Sequence, residues 1–278
     1  MAFTFALPDA RRIRSYFLRL PLATRILILI ITAFYIAHLF WPGITQWGAL
    51  IPQEIGISSL YRLNTYPLLH ASALHYALST LTLLPLLDRF EADHGSLPTL
   101  LLFTGPFGLL PGGLYTLLAR YVFHLSAPVL GASVWVFLLL SSEAIKTYKT
   151  NPYFVLREIR IPTWTTPLAL ALVISFLVPR TSFLGHLCGA LVGYLWGLGY
   201  IRFLAPPEWV LRFVEGKLDL LGRLPHYVSV DQKTYGRYGV LPSTNVGEVR
   251  VGPGRGTLGA VEMGVGGGGG GGGQRLGP

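Results

Sequence analysis

Charge is scarce in this sequence. Of its 278 residues 13% are charged and 51% are hydrophobic, and the mean hydropathy is +0.51. These values lie well outside the range of soluble globular domains. The composition therefore predicts a membrane protein. Cysteine is almost absent too: because Cys188 is the only one, an intramolecular disulfide is impossible.

The apolar segments contain no aspartate. Every aspartate falls in a predicted loop or tail, so the pair of intramembrane aspartates that an aspartyl protease needs is lacking. The His-Glu-x-x-His motif of zinc metalloproteases is also lacking. Polar groups inside a bilayer are costly, and those that remain are candidates for function. In this chain they are histidines and serines, and neither a metal nor an organic cofactor is implied.

Long apolar runs are present in number. A transmembrane helix needs roughly 20 predominantly apolar residues, and fewer when it is packed inside a bundle. The segments that meet this criterion are 24–41, 68–87, 97–118, 130–145, 166–179 and 183–204. The sequence thus predicts an all-α, polytopic membrane protein built as a bundle of six transmembrane helices.

The basic residues indicate the orientation of this bundle. The net charge is +9, but arginines and lysines are scattered beside apolar spans and form no polar basic domain, so the partner is the lipid bilayer and not nucleic acid. The positive-inside rule places both termini in the cytosol. Four regions follow: a basic cytosolic leader (1–23), the six-helix membrane domain (24–204), an amphipathic juxtamembrane segment (205–225) and a disordered, glycine-rich cytosolic tail (226–278).

The polar residues inside the spans fall at one depth. His70 and His75 lie early in the second span, Ser133 early in the fourth and His186 early in the sixth. These three spans run in the same direction in the predicted topology. We therefore expect the four side chains to lie together, slightly below the lumenal surface.

Small residues allow the fourth and sixth spans to approach closely. His186, Gly189 and Gly193 share one helical face, and Gly131 lies beside Ser133. An imidazole at hydrogen-bond distance activates a serine hydroxyl by accepting its proton, so we expect Ser133 to meet His186. A purely structural interpretation also stays open, since serines and glycines in membrane helices most often serve packing.

Three motifs resemble those of a known family. They are "GAS" at 131–133, "GHLCGALVG" at 185–193 and "HASALHYALS" at 70–79. Together they resemble the rhomboid intramembrane serine proteases, and the basic leader and long tail are most similar to the fungal rhomboid protein 2 subgroup. The resemblance implies a multi-pass protein of the secretory pathway, in the Golgi or endoplasmic reticulum, that cuts transmembrane protein substrates.

The resemblance also implies roles for residues. Ser133 would be the nucleophile and His186 its base, while His75 and Ser79 stabilise the oxyanion with support from His70. Two positions depart from the family pattern: Val134 replaces a glycine and Ser79 replaces an asparagine. These departures leave open an inactive rhomboid-like protein that binds membrane substrates and hands them to a cytosolic AAA ATPase. A transporter with a histidine proton relay is a third hypothesis.

The end of the tail carries one more candidate motif. In "GGGQRLG" at 271–277, Gly271, Gly273 and Leu276 fit a short motif that binds the hexameric AAA ATPase acting on ubiquitylated membrane proteins. The aromatic position of that motif is Gly269. Two interpretations stay open, an ATPase-binding tail and a plain low-complexity tail, and the composition favours the second.

Overall fold

The protein is described by a computed structural model covering residues 10–156, 158–178 and 181–232. Most of these residues are helical. The helices are α1 (Ala10–Arg19), α2 (Leu22–Phe40), α3 (Gly43–Gly48), α4 (Arg62–Thr65), α5 (Ala73–His94), α6 (Ser96–Phe103), α7 (Pro106–Leu117), α8 (Ser133–Thr150), α9 (Thr166–Leu177), α10 (Phe183–Leu198), α11 (Glu208–Leu218) and α12 (Leu220–Arg223). Short 3₁₀ turns lie at Pro52–Glu54, Ile57–Ser59, Tyr66–Leu68, Thr163–Thr165 and Arg202–Leu204, and a π-helical turn extends α7 over Leu118–Val122.

Each predicted span contains a helix, but the boundaries differ where capping residues decide them. The second span begins as a helix only at Ala73, because Ser72 caps α5. The third is broken at Thr104 and Gly105 into α6 and α7. The sixth ends at Leu198, where Gly199 adopts a left-handed conformation with φ of +94° and terminates α10.

Length and hydropathy alone single out fewer crossings. Among the described residues two helical stretches are long and apolar enough to span a bilayer, Leu22–Phe40 and Ser96–Val122. A third is obtained if α10 and the largely helical stretch Arg202–Leu218, which meet at 91°, are counted as one span. Helices α5 and α8 carry charged residues in their last turns, and α9 is short.

A two-stranded antiparallel sheet connects α8 to α9. Strand β1 (Tyr153–Leu156) pairs with β2 (Ile159–Pro162), with Phe154 opposite Ile161 and Val155 opposite Arg160. The prediction of a purely α-helical chain is therefore wrong for this connection. Aromatic and β-branched residues favour strands, and Pro152 and Pro162, which bound the run, disfavour a helix through it.

Helices α8 and α10 form the centre of the bundle. A Cβ atom added to Gly193 would collide with the carbonyl oxygen of Leu138, and one added to Gly197 would lie 3.0 Å from that of Ser142. Only glycine permits backbones to approach this closely. The glycine face predicted for the sixth span therefore packs against the fourth, and it brings the beginnings of the two helices together.

Glu91 holds the opposite end of the bundle. Its buried carboxylate accepts hydrogen bonds from the amides of Ala23 and Thr24, at 2.8 and 2.7 Å, and from the hydroxyls of Thr24 and Ser96, at 2.8 and 2.5 Å. The two amides belong to the first turn of α2, whose N–H groups have no partner within the helix. Glu91 thus caps α2 from α5 and fixes the start of α6 as well.

The chain after α12 packs back onto this junction. The amide of Val228 donates to Ser96 Oγ at 2.8 Å, and the Ser96 amide donates to the Val228 carbonyl at 2.8 Å. Tyr227 donates its hydroxyl proton to the buried Glu215 of α11 at 2.8 Å, and burial together with this carboxylate raises the pKa of Tyr227. The expected loss of order after residue 225 therefore does not hold for 226–232. The remaining predicted tail lies outside the described residues.

Candidate active site

A tight turn presents Ser133 at the start of α8. Gly131 adopts a φ of +121°, and a Cβ atom there would lie 2.6 Å from His75 Nε2. The Gly131 amide donates to the Tyr66 carbonyl at 2.9 Å, and the Ala132 amide donates to His70 Nε2 at 3.2 Å. Ser133 is the first residue of the helix, so its own amide has no carbonyl one turn earlier to bind.

The two histidines that face Ser133 also lie in first helical turns. Ser72 accepts a hydrogen bond from the His75 amide at 3.2 Å and so begins α5. Ser182 accepts one, at 3.1 Å, from the amide of Gly185, the residue before His186, and so caps the start of α10. Serine is a favoured N-cap because its oxygen satisfies one of the free amides at a helix start. The capped starts of α5 and α10 therefore fix the position of each imidazole along its helix.

The two imidazoles meet the same hydroxyl. His186 Nε2 lies 3.2 Å from Ser133 Oγ, and His75 Nε2 lies 3.5 Å from it. The ring of Phe137, one turn after Ser133, lies against the His186 ring, with 4.4 Å between centroids and 34° between the ring planes. This aromatic contact limits the tilt of the His186 ring and keeps Nε2 directed at the serine.

The serine opens into a small cavity of about 130 Å³. Its walls come from α5, α8 and α9, and they are lined by His75, Leu78, Ser79, Thr82, Ser133, Val136, Phe137, Leu170, Ile174, Val178 and Thr181. A cavity of this size that is lined by several hydroxyls and an imidazole can hold a few water molecules. Water in this cavity would lie beside Ser133.

The remaining predicted residues lie around this centre. Ser79 is buried one turn after His75 and lines the cavity. His70 accepts the Ala132 amide through Nε2, so it supports the turn that carries Ser133 and its Nε2 cannot donate to an oxyanion. The predicted tail residues Gly271, Gly273 and Leu276 lie outside the described residues. Within the described ranges, no three His, Cys, Asp or Glu side chains are grouped so as to hold a metal ion.

Sequence reasoning missed two contacts of His186. One is the Phe137 ring, and the other is Ser175 on α9, whose Oγ lies 3.4 Å from His186 Nδ1. The signal for Ser175 was available. It is the only serine in an otherwise apolar run after Thr166, which is the same feature that identified Ser133 in α8.

Known proteins match this chain over most of its length. Residues 57–203 match the model of the rhomboid domain. Rhomboid-type serine protease 2 of Neurospora crassa is 53% identical over 274 residues, which cover 97% of this chain and 95% of the relative. Rhomboid-type serine protease B of Aspergillus fumigatus is 56% identical over 249 residues, covering 87% and 91%. Rhomboid-type serine protease 2 of Saccharomyces cerevisiae is 32% identical over 206 residues, covering 71% and 76%.

Proposed function

This chain belongs to the rhomboid family, and we propose that it hydrolyses peptide bonds of transmembrane substrates with Ser133 as nucleophile and His186 as general base. Its predicted class, a serine-type endopeptidase and multi-pass membrane protein, is confirmed by the relatives and the apolar helices, as is the likeness to the fungal rhomboid protein 2 subgroup. The observation that carries the assignment of roles is the placement of Ser133 Oγ between two imidazoles, 3.2 Å from the nearer.

The geometry suits acyl transfer. Ser133 Oγ attacks the substrate carbonyl carbon while its proton passes to His186 Nε2. His186 then gives this proton to the leaving amine, and a water molecule, activated by the same imidazole, releases the acyl group from Ser133. The cavity beside Ser133, which α5, α8 and α9 line, can hold the water for the second step.

Three donors surround the position of the developing oxyanion. The Ser133 amide lies at the N-terminus of α8, where unpaired N–H groups and the helix dipole stabilise negative charge. His75 Nε2, 3.5 Å from Ser133 Oγ, is the second donor. The Ser79 hydroxyl, which lines the same cavity, is the third. Its shorter reach replaces the amide that the family usually places there.

The proposed topology has six crossings, with both termini in the cytosol of a Golgi or endoplasmic reticulum membrane. Support comes from the six predicted spans, each of which contains a helix. Helix α11 fits the cytosolic interface: Trp209 and Phe213 are exposed on one face, while Leu211 and Glu215 are buried on another. The active serine then lies near the lumenal surface, so cleavage occurs near the lumenal ends of substrate segments.

A fluorescent fluorophosphonate tests the proposal on the purified full chain. This probe reacts with serines that a neighbouring base activates, so we expect it to label the unaltered protein. In a separate assay the unaltered protein cuts a reporter transmembrane segment. Ser133→Ala and His186→Ala abolish both reactions. The matched control is Ser142→Ala, because Ser142 is buried in the same helix and away from the cavity.

Two outcomes contradict the proposal. Cleavage by Ser133→Ala at the rate of the unaltered protein would exclude Ser133 as the nucleophile. Capture of the reporter by unaltered protein and Ser133→Ala alike, with no product from either, would favour a binding protein that hands substrates on without cutting them.

A further inference from the structure

A second serine lies behind the proposed catalytic base. Ser175 is on α9, the helix that forms one wall of the cavity, and it is partly buried. Its Oγ lies 2.8 Å from the carbonyl oxygen of Ala171 and 3.4 Å from His186 Nδ1. His186 Nε2, on the other side of the ring, lies 3.2 Å from Ser133 Oγ. The three side chains therefore form a continuous line from α9 through α10 to α8.

The available protons decide which atom donates and which accepts in each contact between Ser175, His186 and Ser133. A serine hydroxyl has one proton and two lone pairs. The short contact to the Ala171 carbonyl takes that proton, since a carbonyl oxygen can only accept. Ser175 therefore presents a lone pair to His186 Nδ1, which must carry a hydrogen for the contact to be favourable. In a neutral imidazole the other nitrogen is then an acceptor, and here that nitrogen is Nε2, which faces Ser133.

The other imidazole at Ser133 lacks such a contact. In the part of the chain that the structure describes, buried His75 Nδ1 has no hydrogen-bond partner. His186 is held from behind by Ser175 and from the side by Phe137. Of the two histidines near the nucleophile, His186 alone has both a fixed ring orientation and a defined acceptor nitrogen.

We propose that Ser175 is a positioning residue that holds His186 in the tautomer able to accept the Ser133 proton. The inference rests on the proposed function, because it presupposes that His186 is the base. Ser175 does not touch the reacting atoms and acts only through the imidazole. Helix α9, which forms one wall of the cavity beside Ser133, thereby helps to orient the base where it packs beside α10. The Tyr194 hydroxyl of α10 donates to the Trp164 carbonyl at 2.5 Å, and this bond links α10 to the 3₁₀ turn that precedes α9.

Substitutions at Ser175 separate orientation from packing. Ser175→Ala removes the acceptor, and loss of one neutral hydrogen bond to the base is expected to lower kcat about 3- to 10-fold. The KM for the reporter segment stays unchanged, since Ser133 and the cavity are intact. The rate of fluorophosphonate labelling of Ser133 falls by the same factor, which measures activation of the serine without a protein substrate.

Two nearly isosteric substitutions, of Ser175 by threonine and by valine, test whether the hydroxyl group restores kcat. Ser175→Thr keeps the hydroxyl and restores kcat, whereas Ser175→Val places a methyl group there and does not. Thr104→Ala is the matched control, because the exposed Thr104, directly after α6, makes the same bond to a carbonyl four residues earlier, at 2.7 Å. This control variant keeps the kcat and labelling rate of the unaltered protein. If Ser175→Val is unstable, Ser175→Ala and Ser175→Thr still carry the comparison.

Three results would overturn the assignment. The first is full kcat in Ser175→Ala; the second is a raised KM with kcat unchanged, which would place the effect in substrate entry; the third is equal loss in Ser175→Thr and Ser175→Val. Failure of this inference is distinct from failure of the proposed function. Cleavage by Ser133→Ala overturns the proposed function, whereas an inactive Ser133→Ala beside a fully active Ser175→Ala overturns only the role of Ser175.

Discussion

The side chain of Val134 occupies the space that Gly189 leaves on the facing helix. A Cβ atom on Gly189 would lie 2.5 Å from the carbonyl oxygen of Val134 and 3.1 Å from its Cγ2. Val134 is 3% exposed, and its neighbour Ser133 still lies 3.2 Å from His186. The valine that departs from the family pattern is therefore accommodated between α8 and α10 without separating the proposed dyad.

This contact predicts the effect of enlarging Gly189. Gly189→Val forces α10 away from α8, so it lowers the free energy of unfolding by about 1–3 kcal/mol and reduces cleavage although Ser133 and His186 are present. Thermal unfolding and reporter cleavage measure the two effects. Gly113→Val in α7 is the control, because a Cβ atom there meets nothing within 4 Å. Full activity of Gly189→Val would show that close approach of these helices is unnecessary.

Restoring the family's glycine at position 134 should raise neither stability nor the rate of cleavage. Val134→Gly removes a buried side chain and leaves a void beside Gly189, which costs about 1.5–3 kcal/mol of stability. Cleavage by this variant is expected to be no faster than that of the unaltered chain. A variant that unfolds at a higher temperature and also cuts faster would contradict this account of the contact.

The proposed oxyanion donors predict opposite effects for two substitutions. His75→Ala removes a donor at the reacting centre and should lower kcat on the order of 100-fold. Ser79→Asn provides a longer donor in the same wall of the cavity and should preserve or raise kcat. Thr82→Asn, one turn further along α5 in the same cavity, controls for the added amide and should not raise it. An unchanged rate in His75→Ala would remove that histidine from the oxyanion site.

The buried carboxylate of Glu91 predicts a loss of stability far from the active site. In Glu91→Gln one oxygen becomes an NH₂ group, which cannot accept the amides and hydroxyls that now donate to it. Two lost bonds to a charged group correspond to about 3 kcal/mol or more. Thermal unfolding of Glu91→Gln, compared with Glu158→Gln in the exposed turn between β1 and β2, measures this loss. Equal stability of the two variants would contradict the capping role.

The motif at the end of the tail remains a prediction. A peptide covering residues 262–278 should capture the hexameric AAA ATPase weakly if Leu276 fills an apolar pocket, and Leu276→Ala should lose this binding. Pull-down with purified ATPase measures the difference. Equal capture by both peptides would mean that the glycine-rich end is low-complexity sequence without this partner.

Local patterns carried much of the sequence prediction. Apolar runs located the helices, and the motifs around His75, Ser133 and His186 placed those residues near helix starts, where the structure brings all three together. The glycine spacing on α10 predicted its contact with α8, because a helix repeats its face every three to four residues. These features depend on neighbours in sequence, or on one face of one helix.

Contacts that depend on the crossing of distant segments were not predicted. Ser175 meets His186 only because α9 turns back beside α10, and nothing in the local sequence fixes that crossing. Glu91 lies in a region that hydropathy assigns to a loop, where a carboxylate is expected to face water, yet four donors from α2 and α6 bury it. The glycine-rich sequence that follows Tyr227 and Val230 led to both being predicted as part of a disordered tail, although both are buried.

The pairing of Val228 with Ser96 joins residues 132 positions apart. The amide and carbonyl of Val228 complete hydrogen bonds of Ser96, and Ser96 in turn donates to Glu91, which caps α2. The ribosome makes this segment after α10, the last span that the sequence predicts. The junction at the start of α2 is thus completed by residues that are made only after all six predicted spans, so a nascent chain shorter than 228 residues lacks two hydrogen bonds to Ser96 although the helices around it have already been made.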